Sequence, residues 1–173
     1  MSSQKNFTVY EYKEVTVRSD KASLYLDCYE SFGWQQDENF PPQEEKDRVT
    51  LRLKRDRKLV NRAELTRLQR KFEASMEEII SLERSKTSAA TIWALAIALL
   101  GTAFMAGSVF AVVAEPPRIA FSILLALPAF AGWIAPIFVY HRVRDKKTRQ
   151  VTPFIEEKIE EIYGMCEKGQ SLL

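Results

Sequence analysis

The hydrophobic pattern changes period along this chain. In residues 7–18, FTVYEYKEVTVR, Phe7, Val9, Val15 and Val17 share one parity and Tyr10 and Tyr12 the other, which predicts a strand. Ala22, Leu26, Tyr29 and Phe32 then recur at helical spacing, behind Ser19 or Asp20 as a cap. Gly33 is placed to end that helix. Trp34 opens a short second strand reaching Gln36, and Asp37 to Asp47, with Pro41-Pro42, reads as a polar loop. In residues 48–55 Val49, Leu51 and Leu53 alternate with Arg48, Thr50, Arg52 and Lys54, a third strand. Residues 1–58 therefore predict a small β-α-β-β domain with a helix on one face. A sheet this short needs a second cover.

From there the period is helical. Asn61 and Glu64 have the form of a capping box. Leu65, Leu68, Phe72, Ile79 and Leu82 keep a 3–4 repeat, with Ser75 in its gap. No Pro or Gly intervenes between Asn61 and Gly101, so one helix is expected from about 62 to 114, its first part (59–87) a stalk. Ser88–Ala114 and Ile119–Tyr140 contain no Asp, Glu, Lys or Arg, and each is longer than the about 20 residues a helix needs to cross a bilayer. They predict transmembrane helices at 88–114 and 119–140, joined by an external turn at 115–118 where Pro116 and Pro117 stop the first. Pro128 and Pro136 are expected to bend the second. In the tail, 141–173, Thr152 as cap and Pro153 at the first helical position predict a fresh helix. Its seam of Ile155, Ile159, Ile162 and Cys166 suits an antiparallel coiled coil with the stalk. The fold class expected is an α+β membrane protein: a β-α-β-β domain, a long helical stalk continuous with a two-helix hairpin, and a C-terminal helix packing back on the stalk.

Within the hairpin Ala90, Ala94, Ala98 and Gly101 form one stripe of small residues, and Ala103, Gly107 and Ala111 another. Such stripes let helix backbones approach in lipid. One is assigned to the second span and the other to a neighbouring copy. Thr91, Thr102, Ser108 and Ser122 are the polar residues of the spans, and no ionisable residue marks an ion path.

Charge orients the hairpin. The 173 residues carry 25 Lys/Arg and 23 Asp/Glu, a net charge of +2 that excludes no class of partner. Their distribution matters more. Arg84 and Lys86 precede the first span, Arg142, Arg144, Lys146, Lys147 and Arg149 follow the second, and the turn holds only Arg118. The positive-inside rule then puts both termini in the cytosol, with Trp93, Trp133 and Tyr140 near that interface. No apolar leader precedes the domain, so the first span is expected to act as a signal anchor in the inner (plasma) membrane.

Candidate chemistry is sparse. Cys28 and Cys166 stand apart with no CxxC spacing, and His141 is the single histidine. No metal, nucleophile or phosphate-loop motif is present, so no cofactor and no enzymatic activity are expected. A basic stretch, Arg52, Lys54, Arg55, Arg57, Lys58 and Arg62, continues to Arg67, Arg70 and Lys71. It reads as a solvated face, with anionic lipid, nucleic acid or an acidic protein as other partners. RNA-binding sheets carry aromatics on their basic face. Arg48, Thr50, Arg52 and Lys54 show none, which counts against nucleic acid.

The strings YEYKEVTV and YESFGW resemble a small bacterial domain family of unknown function, through Glu11-Tyr12-Lys13 and Gly33-Trp34. That resemblance implies a compact α+β domain and no activity. The layout of an α/β domain, a coiled coil, two spans and a helical tail also resembles the mitochondrial-type calcium uniporters. Of their turn motif only Glu115-Pro116 matches, with Val112, Val113 and Ala114 in front of it. The function expected is a non-enzymatic, hairpin-anchored interaction module in the bilayer that self-associates or binds a protein partner. The alternatives are an oligomeric channel with Glu115 at the pore mouth and an accessory subunit of a larger membrane complex.

Overall fold

The centre of the sheet is the strand predicted at 48–55. In the computed structural model, which describes residues 9–173, this strand is β4, Arg48–Asp56. β1, Tyr10–Arg18, pairs antiparallel along its whole length, from Tyr10 opposite Asp56 to Arg18 opposite Arg48. Phe7, placed in the same strand from its pattern, lies outside the described residues. On the other side of β4 lie β2, Gln35–Gln36, and β3, Gln43–Glu45. β3 falls inside the stretch read as loop. It is a hairpin strand made by the turn at Lys46-Asp47, where Lys46 takes a φ of 52°. Its sequence, Gln-Glu-Glu, has no β-branched or aromatic residue to announce it.

Between β1 and β2 the chain makes a 3-10 turn, Ser19–Lys21, and helix α1, Ala22–Glu30. Neither Ser19 nor Asp20 caps α1, because both belong to the turn and Asp20 is held by Arg18 at 3.0–3.1 Å. The buried face is Tyr25, Cys28, Tyr29 and Phe32, one step round from the predicted stripe, and Leu26 is only half-buried. Gly33 ends the helix at φ +82°, where a Cβ would lie 2.8 Å from Leu59 Cδ1.

Two helices complete the chain, α2 (Arg62–Val113) and α3 (Ile119–Gln170), each 52 residues long. Each holds an apolar stretch long enough to cross a membrane. α3 runs unbroken through Pro128, Pro136 and Pro153, so Thr152 does not start a new helix. Its hydroxyl donates instead to Thr148 O at 2.8 Å, and Pro153 sits on the exposed side of the helix. Nor does a capping box close at Asn61. Its amide donates to Leu172 O, and Glu64 pairs with Arg67.

Contacts divide the chain into two units, Met1–Glu77 with Glu157–Leu173, and Glu78–Glu156. In the first unit the inner sheet face (Val17, Val49, Leu51, Leu53) is buried with α1, the start of α2 and the end of α3. Phe72 of α2 is the hub, with ring centroids 5.4 Å from Tyr25, 5.7 Å from Tyr29 and 5.8 Å from Phe32. Met76 fills the seam that Ser75 interrupts. Ile162 and Met165 of α3 are buried too, and Gly169 allows the close approach to α1: a Cβ there would lie 2.5 Å from Ser31 O. In the second unit Ala90, Gly101, Ser108 and Ala111 of α2 and Ser122 and Ala129 of α3 are buried between the helices. The backbones nearly touch at Gly101 and Gly132. The Ser108 hydroxyl meets Ser122 O and Oγ, both at 2.9 Å.

Candidate functional site

The pairing of β1 with β4 sorts the sheet by parity. Odd residues turn inward. Among them Glu11, Lys13 and Arg55 carry charge into the layer between sheet and helix, where it must be paired. Arg55, only 3 % exposed, stacks on the Trp34 ring at 4.5 Å and meets Glu11 at 2.6 Å, with Phe32 O and Thr66 Oγ1 each at 3.3 Å. Arg62 of α2 reaches the second oxygen of Glu11, also at 2.6 Å. Burial works to raise the Glu11 carboxyl, but the hydrogen bonds and charges of Arg55 and Arg62 outweigh it and leave the group below its ordinary range.

A second group centres on Glu73 of α2. Its Oε1 accepts from Lys13 Nζ at 2.5 Å, Tyr29 OH at 2.8 Å and Gln69 Nε2 at 2.8 Å, and Gln69 Oε1 accepts from the Trp34 indole at 2.7 Å. Burial again opposes ionisation and the three donors again prevail, so Glu73 also lies below the ordinary carboxylate range. Burial and the bond to Glu73 push the Tyr29 phenol up. No buried side-chain nitrogen or oxygen among the described residues lacks a partner. The donors and acceptors of this cluster are thus engaged with one another and tie the sheet to α2.

Even residues turn outward and form an open face. Tyr10 and Tyr12 of β1 stand beside Arg52 and Lys54 of β4, so the basic face does carry aromatics, contrary to the expectation from β4 alone. Lys54 Nζ lies 6.0 Å from the Tyr10 ring, and the Arg52 guanidinium 4.6 Å from the ring of Phe40, which arrives from the loop before β3. Tyr12 is 69 % exposed. Tyr12, Glu14, Asn39, Phe40 and Arg52 line a shallow hollow of about 510 Å³. Charges on the face are mixed: Arg52 pairs with Glu14 at 3.3 Å and Lys54 with Asp37 at 3.6 Å. Mixed charge with exposed Tyr, Phe and Arg is the make-up of a protein-docking surface. Tyr10 and Tyr12 were legible as the outward parity of β1. What joined them to Arg52 and Lys54 was the strand register.

The predicted basic patch is dispersed. Arg52 and Lys54 are on the open face, Arg55 and Arg62 are bound to Glu11, and Arg57 and Lys58 are exposed in the turn after β4. Cys28 and Cys166, far apart in sequence, meet between α1 and α3; their mutual hydrogen bond and burial push the Cys28 thiol up.

In the second unit the first small-residue stripe faces the hairpin partner. Gly101 is buried and Ala94 and Ala98 are half-buried. The second stripe splits: Ala111 is buried, a Cβ on Gly107 would lie 3.6 Å from Leu125 Cδ2, and Ala103 is exposed. Glu115 is exposed in the turn. Arg142, Arg144, Lys146, Lys147 and Arg149 are exposed along α3, and the His141 ring meets that of Tyr140 edge-on at 5.7 Å. No group of three or more His, Cys, Asp or Glu that would hold a metal occurs among the described residues. No family model, no curated protein and no solved structure matches this chain.

Proposed function

We propose that this protein is a non-enzymatic membrane protein in which the α2–α3 hairpin anchors a small α+β docking module on the cytosolic side. One observation carries the reading. In the most apolar 18-residue segments of α2 and α3 only 17 % and 11 % of the residues are buried, and Leu99, Phe104, Phe110, Leu124, Phe130 and Phe138 face outward from the hairpin. A contiguous apolar surface of that size calls for lipid or another apolar partner. The inner surface of the hairpin supports lipid, since small residues and a Ser–Ser bond join its helices instead of large apolar chains. The exposed Tyr, Phe and Arg of the sheet supply the docking half of the reading.

The test is extraction of membranes from cells expressing the full chain. The protein is expected to stay in the pellet through alkaline carbonate and to be released by detergent. Release by carbonate alone would remove the membrane reading.

A further inference from the structure

Among the described residues β1 is an edge strand. Its only strand partner there is β4, and the pairing runs through all nine residues without a bulge. Natural edge strands are blunted by proline, by bulges or by charges aimed into the pairing zone. β1 contains no proline, and its two inward charges are already engaged inside the module, Glu11 by Arg55 and Arg62 and Lys13 by Glu73.

The hydrogen bonds fix which backbone groups are open. Arg57 N donates to Val9 O at 3.1 Å and Ser19 N to Asp47 O at 2.9 Å. With the register of β1 and β4, these bonds put odd residues of β1 in the hydrogen-bonded pairs. The N–H and C=O groups of Tyr10, Tyr12, Glu14, Thr16 and Arg18 therefore point to the open edge.

We propose that two copies of this chain join through these edges, antiparallel about a two-fold axis at Thr16. In that register Glu14 faces Arg18 of the second copy and Arg18 faces its Glu14. Thr16 meets its own copy, extending the Thr16–Thr50 contact at 3.0 Å, and Val15 covers Val17 of the second copy on the inner face. Each is a favourable cross-strand pair. Neighbouring two-fold registers are worse: an axis at Glu14 opposes two carboxylates, and one at Val15 sets Lys13 against Val17. The present partners of these charges do not stand in the way. The Glu14–Arg52 and Arg18–Asp20 pairs are more than one-third exposed on every member and contribute little. The occupant is thus a second copy, chosen by the self-complementary order Glu14-Val15-Thr16-Val17-Arg18.

This inference rests on reading the sheet module as a docking element and is independent of what the hairpin enters. Its test is the native mass of the full chain in mild detergent, with folding followed by circular dichroism. The wild type is expected to be a dimer. Glu14→Arg and Arg18→Glu should each weaken it by about tenfold or more, and the double reversal E14R/R18E should restore it. Thr16→Pro should abolish the dimer while sparing every β1–β4 backbone hydrogen bond, because the Thr16 N–H faces the open edge; only the Thr16–Thr50 hydroxyl contact is lost with it. A monomeric wild type would overturn the proposal. So would single reversals and T16P that stay dimeric, which would put the contact elsewhere, or a double reversal that fails to restore it. Retention of Glu14→Arg in carbonate-washed membranes separates this outcome from that of the membrane reading.

Discussion

Glu73 gathers three donors on one oxygen, and that concentration makes it the residue on which the first unit depends most. Removing its charge leaves Lys13, half-buried, facing a neutral amide, and loosens Tyr29 and Gln69 together. Glu73→Gln should cost about 1–3 kcal/mol, seen as a lower chemical-denaturation midpoint of the full chain in detergent. Acid should act through the same atoms. Glu11 and Glu73 are both held below the ordinary value of 4.5, so they bind protons less readily folded than unfolded. Their contribution is complete above that value and is lost as pH falls below it. The melting temperature is therefore expected to drop through acid pH, and Glu73→Gln should flatten the drop. Circular dichroism melts across the acid range check both. The network was not legible in the sequence. Glu11, Lys13 and Arg55 look like solvated charges in alternating strands, and only their odd parity, shared with Val15, Val17 and Leu53, hints that they turn inward.

At the level of elements, glycine spacing sets how closely helices approach. A Cβ on Gly132 would lie 2.6 Å from Gly101 Cα, a contact with backbone that no rotamer relieves. Gly132→Ala must push α2 and α3 apart, and should lower the detergent melting temperature of the hairpin. Gly164, also in α3, has nothing within 4 Å of its missing Cβ. Gly164→Ala should stabilise by about 0.5–1 kcal/mol, the helix-propensity gain alone, as an upward shift in the same melt. Most elements were legible. β1, α1, β4 and the start of α2 follow from period and breakers, because each buries one face and the burial writes the pattern. β3 was missed since its three residues are exposed and it exists through turn geometry. The helix start at Thr152 was overread, because Pro suits the first turn of a helix yet is tolerated inside a long one that is held elsewhere.

For the molecule as a whole, the proposed orientation turns on one flank. Replacing Arg142, Arg144, Lys146, Lys147 and Arg149 by Glu should scramble or invert the hairpin, read as loss of the cytosolic signal from both the N-terminal and the C-terminal reporter fusion. The apolar stretches were legible because uncharged runs of that length suit few surroundings besides a bilayer. The proposed docking face was not, since it depends on two strands meeting in a single register across the α1 to β3 segment. That parity has a consequence for how this chain can change over generations. Substitutions at Tyr10, Tyr12, Glu14, Arg18, Arg52 and Lys54 leave the inner network untouched, while those at Glu11, Lys13 and Arg55 break it. Under the proposed docking role, selection for folding and selection for recognition act on alternate residues of the same two strands, and a lineage could exchange a binding partner without first having to rebuild its core.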